Sequence, residues 1–158
     1  MKEAYQIVRA EHHHLDVLAP LFDAYRVFYE QPSDLSAAYD FLHARLSNLE
    51  SVVFLALSPD GTGLGFTQLY PSFGSVSLGR SWILYDLFVT PAARRKGVGR
   101  ALMERAHQFS ADSGAGRVKL STEKTNYKAQ ALYESLGYVR DEDFYRYELL
   151  LIPKPSFE

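Results

Sequence analysis

Asp86-Leu87-Phe88-Val89-Thr90-Pro91-Ala92-Ala93-Arg94-Arg95-Lys96-Gly97-Val98-Gly99-Arg100-Ala101-Leu102-Met103 is the stretch on which the reading of this chain turns. It continues an apolar run that begins at Trp82 and stops at Thr90-Pro91. A basic turn follows, then two glycines one residue apart, then a helical pattern. The order is strand, anion-binding loop, helix. Glycine lets the backbone turn tightly and admits a ligand close to the main chain. The first N–H groups of a helix have no internal acceptor, and the helix dipole adds partial positive charge there. Together these make a phosphate site. Arg94, Arg95, Lys96 and Arg100 crowd the same place, with only Glu104 opposing them. The loop is expected to hold a phosphorylated ligand.

Elsewhere the chain is nearly neutral. A formal net charge of -2 gives no whole-protein attraction to nucleic acid or to an anionic membrane, so neither is expected as a partner. A length of 158 residues suits one domain with a substantial core, and 47% hydrophobic residues excludes a disordered composition. Cysteine is absent, which excludes a disulfide framework, a thiolate metal site and a cysteine nucleophile. That usage fits a cytoplasmic location. Neither a signal-peptide layout nor a run apolar enough to span a bilayer is visible.

Working outward from the loop, the pattern alternates helices with strand pairs. Tyr5 to Arg9 reads as a strand. His12 to Tyr29 carries apolar residues at helical spacing (Leu15, Leu18, Leu21, Phe22, Tyr25, Phe28), with Pro20 implying a kink or a later start. Pro32-Ser33-Asp34 offers an N-cap for a helix from Leu35 to about Asn48. Ser51–Ser58 and Gly63–Tyr70 flank Pro59-Asp60-Gly61 as an antiparallel hairpin. Ser81–Val89 is more continuously apolar, as for a strand covered on both faces. Val98 to about Ser113 is a helix closed by Gly114 and Gly116, and Arg117–Ser121 is a strand. Asn126–Leu136 is a helix stopped by Gly137; Tyr138–Arg140 and Phe144–Ile152 read as final strands. The fold class is α/β: a mixed, mostly antiparallel sheet of six to seven strands flanked by about four helices.

Two familiar phosphate loops do not fit. A Walker A loop needs Gly-Lys followed by Ser or Thr, whereas the order here is Lys96-Gly97-Val98-Gly99. A dinucleotide fingerprint needs a small residue where Leu102 stands. The bland alternative is a glycine-rich turn with solvated charges. What the segment does resemble, through Arg94-x-x-Gly97-x-Gly99 after an apolar strand, is the Gln/Arg-x-x-Gly-x-Gly/Ala signature of the GNAT family of N-acetyltransferases. Downstream, Asn126…Ala129…Ala131-Leu132-Tyr133-Glu134-Ser135-Leu136-Gly137-Tyr138 is similar to that family's next helix and strand. Element order agrees over nearly the whole chain, which implies a single transferase domain, 1–158, with 153–158 as a loose tail.

The resemblance implies acetyl-coenzyme A as donor and no metal. It places the pyrophosphate on the loop N–H groups of Arg95 to Arg100, so that Arg94, Arg95, Lys96, Gly97, Val98, Gly99 and Arg100 form the cofactor cradle. The pantetheine arm would pair with the main chain at Leu87, Phe88 and Val89, which requires that strand to splay from its neighbour, usually at a bulge. Asn126, Ala129 or Gln130, and Tyr133 share one helical face. In the family the matching asparagine bonds the pantetheine arm and the matching tyrosine lies near the thioester sulfur. Tyr133 is then the expected acid for the departing thiolate, and the N–H of Phe88 or Val89 the donor to the carbonyl oxygen. A binding or regulatory domain with the same fold would have no need of a placed acid.

Asp86 is the one charge within Trp82–Val89, and an unpaired carboxylate is costly inside a sheet. It should face a cleft or meet a cation, where it could bind an ammonium group or take its proton; the alternative is a structural aspartate. Tyr29, Glu30 and Tyr85 are the companion candidates for the acceptor site, with Asp23, Arg26, Tyr70 and Phe73 behind them. This part of the pattern resembles the small family branch that acetylates histones, polyamines and other small amines, so the acceptor is a small-molecule or peptide amine. His12-His13-His14 lacks a completing ligand set and reads as a solvated helix start. The long apolar run Phe144–Ile152 is an edge that would normally be covered, which points to a homodimer.

Overall fold

The computed structural model describes residues 4–152. The chain divides into two compact units, Met1–Leu120 and Ser121–Glu158. The first holds five strands in the order β1-β2-β3-β4-β5, namely β1 Gln6–Arg9, β2 Val52–Leu57, β3 Gly63–Gly74, β4 Gly79–Val89 and β5 Arg117–Lys119. The first four are antiparallel neighbours, and β5 runs parallel to β4. Three helices belong to this unit: α1 Leu15–Phe28, α2 Leu35–Ser47 and α3 Val98–Asp112.

β2 explains the layering. All six of its residues are buried, so the strand covered on both faces is β2, whereas β4 alternates buried and open positions. Val53, Leu55 and Leu57 join Leu15, Leu18, Phe22 and Leu42 of α1 and α2, together with Phe66 and Phe88, in one core cluster. Phe54 points to the other face, where its ring lies 5.6 Å from Phe109 of α3. Period two along the strand thus feeds two helical layers from one sequence run.

Helix boundaries follow local chemistry. Asp34 caps α2 by accepting the Ala37 N–H at 3.0 Å. α1 starts at Leu15, later than the spacing suggests, because His12–His14 forms a 3-10 turn closed by reciprocal bonds between Glu11 and His14. Pro20 lies inside α1 on its exposed side. The three histidines serve that turn, with His14 Nδ1 accepting the Glu11 N–H at 2.9 Å and His12 Nε2 sharing a hydrogen bond with Ser47 Oγ at 2.9 Å.

The second unit has one regular element among its described residues, α4 Tyr127–Ser135. The strands expected at Tyr138–Arg140 and Phe144–Ile152 do not form there, so among the described residues the sheet has five strands rather than six or seven. An alternating pattern says which residues share a face, but a ladder also needs a neighbour, and these residues bond through side chains, as from Arg146 to Ser121 Oγ. Arg140 pairs with Glu142 at 3.0 Å, and the Asp143 N–H turns back to Asp141 Oδ1 at 2.9 Å. Residues 153–158, expected to be a loose tail, lie outside the described residues.

Candidate active site

One extra residue in β4 aims the Asp86 carboxylate. Gln68 of β3 pairs with Asp86, but Leu69 pairs with Leu84, so Tyr85 is the bulged residue. Strict alternation would put Trp82, Leu84, Asp86 and Phe88 on one face. The bulge reverses the parity. Trp82 packs against Phe109 of α3 at 5.2 Å, whereas Phe88 lies 6.1 Å from Tyr25 of α1. Asp86 therefore enters the α1 face. It is 4% exposed; its Oδ2 accepts a bond from Gln68 Nε2 at 2.7 Å, and the Tyr25 hydroxyl bonds to the same carboxylate. Burial pushes the Tyr25 phenol well above its ordinary pKa, and the Asp86 charge and hydrogen bond add to the shift.

The same strand presents main chain on its other edge. β4 pairs with β5 only through Ser81, Trp82 and Ile83. Among the described residues no strand pairs with Leu84–Val89 on the side away from β3. β5 itself ends at Lys119, the partner of Ile83, so the pairing stops there. Peptide alternation then decides which groups reach the open edge. Asp86 C=O faces β3, accepting from Thr67 Oγ1 at 2.8 Å, and the Thr90 N–H bonds back to Leu64 O at 2.9 Å. Phe88 C=O faces β3 as well, since a Cβ on Gly65 would come within 2.6 Å of it. Leu87 and Val89 consequently turn their N–H and C=O groups outward. The Phe88 side chain is 7% exposed and belongs to the core.

At the end of β4 the chain turns through a 3-10 segment, Pro91–Ala93, into the basic loop. Arg94 is committed to that corner. Its Nε donates to Val89 O at 3.0 Å, and its guanidinium carbon lies 5.7 Å from the centre of the Phe28 ring and 5.9 Å from that of Phe88. Arg95 and Gly97 take left-handed backbone, φ 63 and φ 79, which turns loop N–H groups toward one side. Gly97 is the N-cap of α3, whose first bond runs from Ala101 N to Gly97 O at 3.0 Å. By helix geometry the N–H groups of Val98, Gly99 and Arg100 have no intrahelical acceptor. A Cβ on Gly97 would meet nothing within 4 Å, and one on Gly99 only Val89 Cγ2 at 3.6 Å, so the protein leaves this cradle open. Arg95, Lys96 and Arg100 are exposed around it, Arg100 with its Nε 3.2 Å from Glu104. Open backbone, helix N-terminus and basic rim fit a coenzyme carrying phosphates.

The remaining candidates divide between companions of Asp86 and structural residues. Tyr29 and Tyr85 are 41% and 45% exposed, and both bear electrostatically on the Tyr25 hydroxyl that bonds Asp86. Glu30 follows α1 with a left-handed φ of 64 and is exposed. Asp23 is structural: it accepts from Ser33 Oγ at 2.6 Å and from the Asp34 N–H at 2.8 Å. Those bonds hold its carboxyl below the usual range. In the second unit Asn126 caps α4, its Oδ1 accepting from Ala129 N at 3.2 Å, and Gln130 bonds the carbonyls of Glu123 and Lys124. The half-buried Tyr133 ring lies 5.9 Å from Tyr138, whose phenol is raised first by burial and then by Tyr133. Tyr25 and Gln68, the two side chains holding Asp86, were not singled out as site residues by the sequence. Helical spacing marked Tyr25 as core, and nothing marked Gln68, because only the bulge brings them to the carboxylate.

Comparison with known proteins identifies the family. Residues 18–138 match the Acetyltransferase (GNAT) family. The chain is 51% identical over 130 residues to an uncharacterised N-acetyltransferase of Bacillus subtilis, YhfO, covering 82% of this chain and 87% of the relative. It is 31% identical over 133 residues to a probable acetyltransferase of Haemophilus influenzae, covering 84% and 89%. A crystal structure of a probable acetyltransferase superposes with a TM-score of 0.90 at 44% identity, over 94% of this chain and 99% of that one. The chain belongs to the GNAT family and is an N-acetyltransferase. The family uses acetyl-coenzyme A as its acetyl donor. Among the described residues no helix is long and apolar enough to cross a membrane.

Proposed function

We propose that the enzyme transfers acetyl from acetyl-coenzyme A directly to a primary amine, a small amine, polyamine or protein lysine, within a ternary complex. The observation that carries this reading is the outward main chain of Leu87 and Val89, beyond the last β5 pairing at Ile83 and just upstream of the open N-terminus of α3. One extended ligand would meet, in chain order, outward main-chain groups at Leu87 and Val89 and then the loop N–H groups from Arg95 to Arg100. Lys96, Gly97, Val98 and Gly99 complete that cradle. Arg94 fixes its near end to the strand. Asn126 and Ala129 contribute to the coenzyme's arm from α4.

When bound, the coenzyme supplies a thioester whose carbonyl an amine can attack. Asp86 binds the incoming ammonium or takes its proton. Tyr29, Glu30 and Tyr85 shape the acceptor's approach. The Val89 N–H, aimed at the open edge, donates to the carbonyl oxygen as negative charge develops; the Phe88 N–H lies on the β3 side. Tyr133 Oη gives its proton to the departing sulfur. On this reading the chain is one catalytic domain, 1–158, and the protein works in the cytoplasm without a metal, nucleic acid or membrane partner. A homodimer belongs to the same reading, supported by the exposed apolar run that includes Phe144, Tyr147, Leu149 and Leu151.

Tyr133→Phe tests the acid. Its kcat falls by about a hundredfold, within the usual range for a lost general acid, while calorimetric affinity for acetyl-coenzyme A is unchanged. Undiminished turnover removes the tyrosine from the mechanism. In the wild type, initial-velocity lines against the two substrates intersect; parallel lines would mean that no ternary complex forms.

A further inference from the structure

The aromatic residues around Asp86 narrow the acceptor. The carboxylate is held from the sheet side by Gln68 Nε2 at 2.7 Å and from the helix side by the Tyr25 hydroxyl. Gln68 is fully buried, and its Oε1 has no hydrogen-bond partner. A second acceptor therefore lies within one amide group of the carboxylate, an arrangement suited to a group with several N–H donors. Outward from this floor the surface is aromatic. Phe28 is 61% exposed, and its ring centre lies 5.3 Å from that of Tyr29, which is 5.1 Å from Tyr25. Tyr85, the bulged residue, packs 5.4 Å from Tyr70. Exposed rings beside a buried carboxylate attract a cation by charge and by ring quadrupole, and an apolar body by desolvation. The rim also carries a fixed positive charge, because Arg94 lies over Phe28 and is anchored to Val89 O. A second cation on the acceptor would arrive against that charge.

We propose that the acceptor is a monoamine with a flat or branched apolar body. Its ammonium is received by Asp86 and Gln68, and its body lies on Phe28, Tyr29 and Tyr85. The proposal rests on the reading of Asp86 as the acceptor group. The test measures release of coenzyme A thiol with phenethylamine, isoamylamine, spermidine and kanamycin as acceptors. The kcat/KM for phenethylamine should exceed that for spermidine by about tenfold or more. Phe28→Ala and Tyr85→Ala should each cut the phenethylamine value by about tenfold and shrink its advantage over spermidine. Phe28 is 61% and Tyr85 45% exposed, and the melting temperature and acetyl-coenzyme A affinity, measured in parallel, report intact folding. A wild-type preference for spermidine or kanamycin would overturn the monoamine proposal while leaving acetyl transfer to amines intact. So would truncations that leave the ratio unchanged. Thiol release with none of the four amines would overturn both this proposal and the acceptor reading beneath it.

Discussion

Two glycines in the basic loop have different physical duties. Gly97 sits at φ 79, where any Cβ is strained whatever the space around it. Gly97→Ala should lower stability by about 1 kcal/mol through backbone strain alone. Gly99 takes no such conformation, and an added Cβ would make only an ordinary contact with Val89 Cγ2 at 3.6 Å. Gly99→Ala should therefore fold like the wild type but, if the loop cradles the phosphates, bind acetyl-coenzyme A about tenfold more weakly, since a methyl there adds bulk beside the loop N–H groups. Melting curves and calorimetry on the two variants separate strain from ligand clearance. Wild-type affinity in Gly99→Ala would remove the loop from the binding site. These residues were legible because glycine and arginine spacing in one strand–loop–helix run carries its own chemistry. The surroundings of Asp86 were not. The run Trp82-Ile83-Leu84-Tyr85-Asp86 alternates acceptably in either register, and only the pairing of Leu69 with Leu84 shows that Tyr85 is extra.

At the scale of elements, sequence punctuation located the helices well, since caps such as Asp34 and Asn126 act on their own neighbours. Strands depend on partners. β3 runs on to Gly74 because β4 meets it as far as Gly79, whereas Phe144–Ile152 has the pattern of a strand without the ladder. The link from α1 to α2 shows how a polar residue can serve packing rather than chemistry. Asp23 ties Ser33 and the Asp34 N–H to α1, and these bonds lower its pKa in the folded protein. A depressed carboxylate pKa stabilises fully above the unfolded value, and the gain is lost as pH falls through the folded one. Asp23→Asn should accordingly be less stable than the wild type at neutral pH, with the gap closing as the solution is acidified below the usual carboxylate range. Denaturant midpoints across that range measure it; a gap independent of pH would assign the loss to shape rather than charge.

For the whole molecule, the family was readable because the loop and the α4 motif occur in the right sequence, and the match over residues 18–138 bears this out. Assembly is a different matter. Phe144, Tyr145, Tyr147, Leu149 and Leu151 are each more than four-fifths exposed in the isolated chain, an uncommon amount of apolar surface for one segment. Light scattering should give twice the chain mass at working concentration. A monomeric mass there would contradict the proposed homodimer. The central claim is that this fold delivers acetyl from coenzyme A to an amine received at Asp86. Incubation with acetyl-coenzyme A and phenethylamine, followed by mass spectrometry of the amine and titration of free thiol, tests it most directly. The prediction is an amine one acetyl group heavier, formed in step with thiol by the wild type and at least about tenfold more slowly by Asp86→Asn. Equal rates in the two proteins, or thiol released without acetylated amine, would contradict it.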